Sequence, residues 1–313
     1  MRHAIAVDIG GTFTDLVAYD REARKVAYTK SPTTYSNFAD AIFNCFEKAG
    51  ISPADGSLLN HGTTLVINAL LQRRGAKTAL VTTAGFRDIL EIARGNRPDP
   101  FDLHYSRHEP LIPRELRFEI SERIAADGSV VTPIDKSGLA KLTETLKAEQ
   151  VEAVAVFFMN SYANPANEEA AVAYLRDNLP GVYVTHSTSL TRQWYEFERT
   201  STVAANAYVG PQVDVYIRRL QEDLQKGRFA GSLLMMGSNG GLLSVEHTCD
   251  QPIALVESGP IGGCIGAGAY AEALGFGNVI AFDMGGTTAK AGLVEDYEIT
   301  RATEYSVGGG IMV

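Results

Sequence analysis

The sequence predicts an α/β protein, a mixed sheet with flanking helices, followed by the start of a second and incomplete lobe. Three observations lead there. Residues 5–20 read as a buried strand, a Gly-Gly turn and a second strand. From about residue 38 to residue 184, helical and strand-like patterns alternate. Residues 280–294 then repeat the opening hairpin, with Ile, Ala, Asp, Gly, Gly and Thr at matching places. With 45% apolar residues among 313, there is enough for a sizeable core and for two domains.

Taken in order, residues 25–30 alternate in polarity and extend the hairpin to a three-strand meander. An amphipathic helix is expected over 38–49, closed by Gly50. Residues 60–75 read as a polar turn feeding a helix whose Leu65, Asn68, Ala69 and Gln72 share a face. A strand over 78–82 and a short helix over 86–94 follow. A meander and then alternating helices and strands fit an RNase H-like lobe.

Residues 95–114 contain four prolines and no period, which marks a long loop of the functional or mobile kind. Beyond it we expect an edge strand over 116–124, a turn at Asp127-Gly128, and a strand at Val130-Val131. A helix over 137–149, a buried strand over 153–159 and a helix over 165–179, capped by Asn164 with Pro165 at its first position, come next. Another strand spans 182–184. The lobe boundary is set near here, giving lobes 1–190 and 191–313.

In the second lobe, 191–226 is largely helical with a break at Gly210-Pro211. Strands are expected at 233–236, ahead of a glycine-rich turn at 237–241, and at 254–257. The glycine-rich stretch 258–263 reads as a turn opening a helix through 273. Trp194 is expected in the core.

Charge and cysteine usage narrow the function. A net charge of -9 argues against a nucleic-acid or anionic-membrane surface. Three scattered cysteines, Cys45, Cys249 and Cys264, make neither a disulfide framework nor a zinc spacing. Met1-Arg2-His3 leads straight into the first strand, and the longest apolar run, 153–159, is too short to span a bilayer. The expectation is a cytoplasmic protein.

The hairpins carry the chemistry. Asp8 ends a strand, Gly10 and Gly11 let the backbone approach a ligand and offer N–H groups, Thr12 and Thr14 add hydroxyls, and Asp15 follows. Alone, such a turn is ordinary. Its recurrence as Asp283, Gly285, Gly286, Thr287 and Thr288 favours a pair of phosphate clamps. Asp8 and Asp283 are then the candidates for holding Mg²⁺ through water. Asp15 is a candidate to orient the attacking oxygen, and its counterpart in the second hairpin is Lys290.

Two Asp-x-Gly-Gly-Thr hairpins heading two lobes resemble the phosphate motifs of the actin-like ATPase superfamily of kinases and chaperones. More closely, the chain resembles the ATP-dependent hydantoinase A, 5-oxoprolinase and acetone carboxylase family. The resemblance rests on residues 8–15, His61-Gly62-Thr63-Thr64 with Asn68-Ala69-Leu70-Leu71, and Gly85-Phe86-Arg87-Asp88. It rests equally on Ser238-Asn239-Gly240-Gly241, Ser258-Gly259-Pro260 and residues 283–288.

The resemblance implies ATP and Mg²⁺, phosphorylation of the carbonyl oxygen of a cyclic amide, and a hydantoinase B-like partner in a hetero-oligomer. It equally admits carboxylation of a ketone. Its adenosine-binding segment is expected downstream of the second phosphate motif, and family members are about twice this length, so the chain is expected to be a fragment without an adenine pocket. Such a fragment is expected to associate through its unfinished lobe.

Other residues admit two readings. His61, Thr63, Thr64 and Asn68 can contact substrate or γ-phosphate, or form an N-capping cluster. Ser238 and Asn239 can contact nucleotide or substrate, or make an ordinary turn. Arg87 and Arg94 can pin the 95–114 loop or neutralise a transferred phosphate. Gly259 and Gly262 suit helix packing, His104 and His108 lack a matching carboxylate for a metal site, and Cys264 lacks the basic neighbour of a nucleophile. Competing functions are a small-molecule kinase of the same superfamily and a non-catalytic assembly component.

Overall fold

The computed structural model describes residues 2–34, 37–97, 99–284, 289–300, 302, 305–308 and 310–313. In chain order it begins with β1 (His3–Ile9), β2 (Phe13–Asp20), β3 (Lys25–Pro32), α1 (Phe38–Ala49), β4 (Gly56–Thr63) and α2 (Leu65–Leu71). Next come β5 (Thr78–Thr83), α3 (Ile89–Ile92), β6 (Arg117–Ile120), β7 (Arg123–Ile124), β8 (Val130–Thr132) and α4 (Lys136–Ala148). These lead to β9 (Ala153–Phe157), α5 (Ala166–Asn178), β10 (Tyr183–His186), α6 (Ser187–Leu190) and the long α7 (Glu196–Lys226). The chain continues through β11 (Ser232–Met236), β12 (Leu242–Leu243), α8 (Val245–Asp250), α9 (Ser258–Leu274), β13 (Val279–Met284) and β14 (Ala289–Glu295). It closes with β15 (Glu298–Ile299), β16 (Ser306–Val307) and β17 (Ile311–Met312).

Contacts divide the chain into two units, Met1–Asn68 with Val213–Thr303, and Ala69–Gln212 with Glu304–Val313. The division expected at residue 190 is linear, whereas these units are discontinuous. In the first unit the sheet runs β12-β11-β4-β1-β2-β3. β1, β2 and β3 are antiparallel neighbours, while β4 lies parallel to β1 and β11 parallel to β4. This is the RNase H-like order that the meander led us to expect. Its fifth strand, β11, arrives only after residues 69–212 have built the other unit.

Alternation places Ile5, Val7 and Ile9 of β1 and Leu16 and Ala18 of β2 in the first core, beside Ile42, Phe46, Leu59, Leu220 and Leu224. Each such apolar side chain contributes about 1.5–3 kcal/mol on burial. α1 is fixed at both ends. Asn37 accepts from the Ala39 N–H, and Gly50 takes the left-handed conformation (φ 64°) that a side chain disfavours. Further on, β13, β14 and β15 form a second antiparallel meander.

The second unit is built on a sheet of order β10-β9-β5-β6, with all pairs parallel. Every residue of β9 is buried, which is why 153–157 reads as an unbroken apolar run. The expected edge strand at 116–124 is divided into β6, at the sheet edge, and β7, which pairs with β8.

Five local expectations fail. Residues 60–63 are the end of β4, not a polar turn. β4 is paired on both sides, and its polar residues His61 and Thr63 are buried with partners. α7 runs unbroken through Gly210-Pro211. Residues 252–255 form a single 3-10 turn rather than a strand, with Pro252 fixing its first position. The stretch 258–263 is already the first turns of α9. Trp194 is exposed, stacked on Tyr195.

Candidate functional site

In the first unit the β1–β2 register sets Asp8 opposite Asp15, and the β1–β4 register sets Asp8 opposite Gly62. The turn between β1 and β2 is closed by the Gly10 N–H donating to the Phe13 carbonyl at 3.0 Å. Thr33, just beyond β3, clamps it from behind. Its N–H donates to the Thr12 carbonyl (3.0 Å) and its hydroxyl to the Gly10 carbonyl (2.9 Å). Thr14 is fully buried and lies 3.2 Å from the Thr33 hydroxyl, so it braces the turn from inside. Gly11 and Thr12 form the tip, with Thr12 exposed. Asp15 pairs with Lys30 at 3.2 Å.

Asp8 sits in a notch made by missing side chains. A Cβ on Gly62 would lie 2.9 Å from Asp8 Oδ1, and one on Gly259, at the start of α9, would lie 3.5 Å away. The Asp8 carboxyl is pushed up to about 6, first by lost hydration and then by the charges of Asp15 and Asp283. Its surface area is that of an exposed residue. The direction holds regardless, because both acids push the same way as the crowding.

The second hairpin keeps the register of the first: Asp283 of β13 faces Lys290 of β14, as Asp8 faces Asp15. Lys290 forms an ion pair with Glu257, the residue before α9. Gly285, Gly286, Thr287 and Thr288 lie outside the described residues.

His61 is wholly buried. Its Nδ1 lies 3.3 Å from the Val7 carbonyl and its Nε2 bonds the Tyr216 hydroxyl. A carbonyl can only accept, so Nδ1 carries the proton and Nε2 accepts from the phenol. Burial pulls the imidazole down to about 4, so it is neutral at pH 7. The Tyr216 phenol is held protonated by burial and, secondarily, by the charge of Asp8. His61 and Tyr216 therefore form a neutral pair, its imidazole buried.

The neighbouring polar residues are engaged with the chain itself. Thr63 Oγ1 accepts from the Leu65 N–H (3.2 Å), capping α2. The Thr64 hydroxyl donates to the Ile9 carbonyl (3.4 Å) and accepts from the Asn68 amide (3.1 Å). Ser258 Oγ donates to the Thr63 carbonyl (2.8 Å) and accepts from its N–H (3.1 Å). Ser238 Oγ donates to the Ala254 carbonyl (2.8 Å) and accepts from the Glu257 N–H (3.0 Å), while Asn239 closes a turn on the Gly241 N–H (2.8 Å). Together these bonds fix the start of α9 against the ends of β4 and β1.

The structure thus brings together Asp8, Asp15 and Asp283 electrostatically, and Asp8 with Gly62 and Gly259 sterically. Thr14 and His61 are set inside the protein. In the second unit, Arg87 donates to the Arg114 carbonyl (3.0 Å) and Arg94 pairs with Glu198, so both pin the loop region. Tyr216, Thr33 and Ser258 had no assigned role in the sequence reading. Tyr216 lies 155 residues from its partner His61, and no local pattern signals that pairing.

A hydrated Mg²⁺ suits this donor set. Among the described residues no three acid, histidine or cysteine side chains converge as a cage for a metal. Magnesium at phosphate sites takes one or two carboxylates and completes its shell with water and phosphate. Asp8, with no ion-pair partner among the described residues and a glycine notch beside it, fits that requirement.

Residues 4–179 match the hydantoinase/oxoprolinase N-terminal region, and residues 199–313 match the hydantoinase/oxoprolinase domain. The chain belongs to the hydantoinase/oxoprolinase family. Over 99% of its length it is 37% identical to an uncharacterized protein of Methanocaldococcus jannaschii, covering 46% of that protein. It is 34% identical to the caprolactamase subunit alpha of Pseudomonas jessenii, over 92% of this chain and 42% of that one. The acetophenone carboxylase gamma subunit of Aromatoleum aromaticum is 30% identical over 96% of this chain and 43% of its own.

The crystal structure of the ATP-dependent caprolactamase from Pseudomonas jessenii superposes with a TM-score of 0.81 at 33% identity, over 93% of this chain and 43% of that chain. A nucleotide-free acetone carboxylase structure superposes with a TM-score of 0.85 at 24% identity, over 96% of this chain and 45% of that chain, and shows the same fold. This family member spans a little under half the length of these relatives. Among the described residues, no helix is long and apolar enough to cross a membrane.

Proposed function

We propose that the chain forms the phosphate-binding part of an ATP-dependent amidohydrolase. Its substrate is a cyclic amide of hydantoin, 5-oxoproline or lactam type, opened after phosphorylation of its carbonyl oxygen, with a hydantoinase B-like subunit completing the reaction. The observation that carries this reading is the Asp8 carboxylate, set in the Gly62–Gly259 notch within the field of Asp15 and Asp283. Similarity to a caprolactamase alpha subunit supports the cyclic-amide class.

An amide carbonyl is a poor electrophile, and ATP bound here supplies the phosphoryl group that activates it. The chain's own contribution is positioning and charge. Asp8 and Asp283 would hold a hydrated Mg²⁺, which would neutralise phosphate charge, and the Gly10, Gly11 and Thr12 turn, with the repeated sequence Gly285, Gly286, Thr287 and Thr288, would offer donors to phosphate oxygens. Thr14, Thr33, Ser258 and the His61–Tyr216 pair keep that geometry fixed.

The test is turnover of ATP by the full-length protein with its partner subunit. ATP consumption should require a cyclic amide, and Asp8→Asn should abolish it; amide-independent turnover, or full activity of the variant, would refute the proposal. A second reading, ATP-dependent carboxylation of a ketone, is favoured by the 30% identity to the acetophenone carboxylase gamma subunit. Strict dependence on bicarbonate and a ketone would select it.

A further inference from the structure

The two hairpins of the first unit share a register and differ in how their tips are held. In the first, β3 runs the full length of β2. Lys30 answers the charge of Asp15 at 3.2 Å, and Thr33 beyond it clamps the turn. In the second, the third strand is short. β15 pairs only with Val294 and Glu295, so among the described residues no strand lies beside Lys290 on that side of β14. An acid at 290 would repeat the like-charge pair of the first hairpin, since Asp283 stands directly opposite. A lysine avoids that repulsion and takes its partner from outside the meander.

That partner is Glu257, the residue before α9. The two side chains are only 21% and 16% exposed, so the pair is weakly screened. Glu257 is itself fixed. Its N–H donates to Ser238 Oγ at 3.0 Å, and its carbonyl accepts the Ile261 N–H at 3.3 Å within the first turn of α9. The next residue, Ser258, donates to the Thr63 carbonyl and accepts from the Thr63 N–H. Thr63 ends β4, opposite Ile9 of β1. Gly259 follows, where a Cβ would stand in ordinary contact, 3.5 Å, with the Asp8 carboxylate. Residues 257–259 therefore reach the second hairpin, the sheet of the first and Asp8 in turn.

We propose that Lys290 is a positioning residue: its ion pair with Glu257 seats the second hairpin on the start of α9 and so sets Asp283 relative to Asp8. The inference rests on the ATP-dependent reading above and deepens it. Lys290 does for the second tip what β3 does for the first. Its ammonium is directed to Glu257, so losing it acts on phosphate binding through α9 and not by removing a phosphate ligand.

The experiment compares Lys290→Met, Glu257→Gln, the double variant and Lys290→Arg. Glu257→Gln keeps the shape of the side chain, so the pair is cut without opening a cavity. In this chain, without nucleotide, backbone amide spectra read whether the strut reaches the first hairpin; the Thr63 N–H, bonded to Ser258, is the reporter. Lys290→Met and Glu257→Gln should each move the Thr63 and Asp8 amides, the double variant no further, and Lys290→Arg least. In the full-length enzyme with its partner subunit, each single variant should lower kcat/KM for Mg-ATP about tenfold, and the double variant should stay close to the singles, because residues acting as one unit are not additive. A kcat/KM lowered by Lys290→Met but unchanged by Glu257→Gln would make Lys290 a phosphate ligand and overturn the proposal. So would Thr63 and Asp8 amides that stay in place in Lys290→Met, or a double variant whose loss is the product of the two single losses. The amide shifts need neither ATP nor organic substrate. ATP turnover that requires no amide therefore sinks the functional reading and leaves the strut standing, whereas unmoved amides with amide-dependent turnover do the opposite.

Discussion

Gly62 faces Asp8 across the parallel β1–β4 pair, and a methyl group placed on it would stand 2.9 Å from the Asp8 carboxylate oxygen. That is closer than real contacts allow, and the carboxylate is the movable partner. Gly62→Ala should therefore turn Asp8 away from its notch. Overpacking of this kind costs about 1–3 kcal/mol, so the protein should still fold. ATP turnover by the assembled enzyme should fall by about a hundredfold, the scale associated with a small misplacement of a positioning group. Thermal melts alongside turnover check this. Normal turnover with an unchanged melt would show that Asp8 does not use the notch.

Two groups of this site oppose each other as the pH changes. The Asp8 carboxyl is raised to about 6, above its unfolded value, so the folded state holds the proton longer. Its effect is a destabilisation that is absent below about pH 4 and complete above about pH 6. Asp8 keeps solvent contact, which screens the effect, and we expect Asp8→Asn to gain about 1 kcal/mol at pH 7 and nothing at pH 4. His61 is lowered to about 4, so the unfolded chain takes up a proton first. Its stabilising share is complete above about pH 6.5 and is lost as the pH falls toward 4. Asp8→Asn should therefore expose a steeper acid-side loss of stability than the parent shows. Denaturant titrations from pH 4 to 7.5 measure both slopes; parallel curves for the two proteins would contradict the assignment.

In the second unit the Glu168 carboxylate is fully buried and accepts from five donors. They are the Phe158 and Thr188 N–H groups and the hydroxyls of Ser161, Ser187 and Thr188, at 2.6–3.1 Å. Arg199, also buried, donates to the Ser161 hydroxyl (3.0 Å) and the Phe158 carbonyl (2.8 Å). Glu168 thereby ties the ends of β9 and β10 to α5, with α7 joined through Arg199. Glu168→Gln places an NH₂ among donors and should cost about 2–4 kcal/mol; Glu168→Ala orphans four of the five, the Ser161 hydroxyl keeping the Phe158 carbonyl at 2.8 Å, and should cost more. Chemical denaturation of both variants decides it. A loss below about 1 kcal/mol for the alanine would mean that water replaces the carboxylate freely.

The parts of this molecule legible in its sequence are those governed by local rules. The β1–β2 hairpin, α1 with its closing Gly50, and the buried β9 follow from alternation, capping and apolar run length. The repeat at Asp283 is also local, and its matching register is what the repeated spacing implies. What could not be read depends on partners far along the chain. β4 looks like a turn until β1 and β11 pair with it on either side, and nothing near His61 in the chain signals its bond to Tyr216 of α7. α9 looks like a turn because each interior glycine weakens a helix by about 1 kcal/mol. At Gly259 a Cβ would stand 3.5 Å from the Asp8 carboxylate, an ordinary contact, so this approach does not by itself demand glycine. At Gly262, Gly263, Gly266 and Gly268 a Cβ would meet no atom within 4 Å, so contacts among the described residues do not explain them.

Gly210 and Pro211 make the same point with opposite signs at adjacent residues. Both suggest a helix break, yet α7 passes through them. A Cβ on Gly210 would fall 2.4 Å from the Tyr183 ring, so glycine is there to let β10 approach the helix. Gly210→Ala must displace that ring and should destabilise by about 1–3 kcal/mol despite alanine's better helix propensity. Pro211 lacks the N–H that an interior helical position would donate, and proline in such a position is about 3 kcal/mol worse than alanine in an isolated helix. Pro211→Ala restores the donor and should stabilise, by about 1–2 kcal/mol once existing accommodation of the ring is allowed for. Equilibrium unfolding of the two single variants checks the pair. Stabilisation by both would mean that the Tyr183 contact is soft, and destabilisation by both that the helix depends on the proline's fixed geometry.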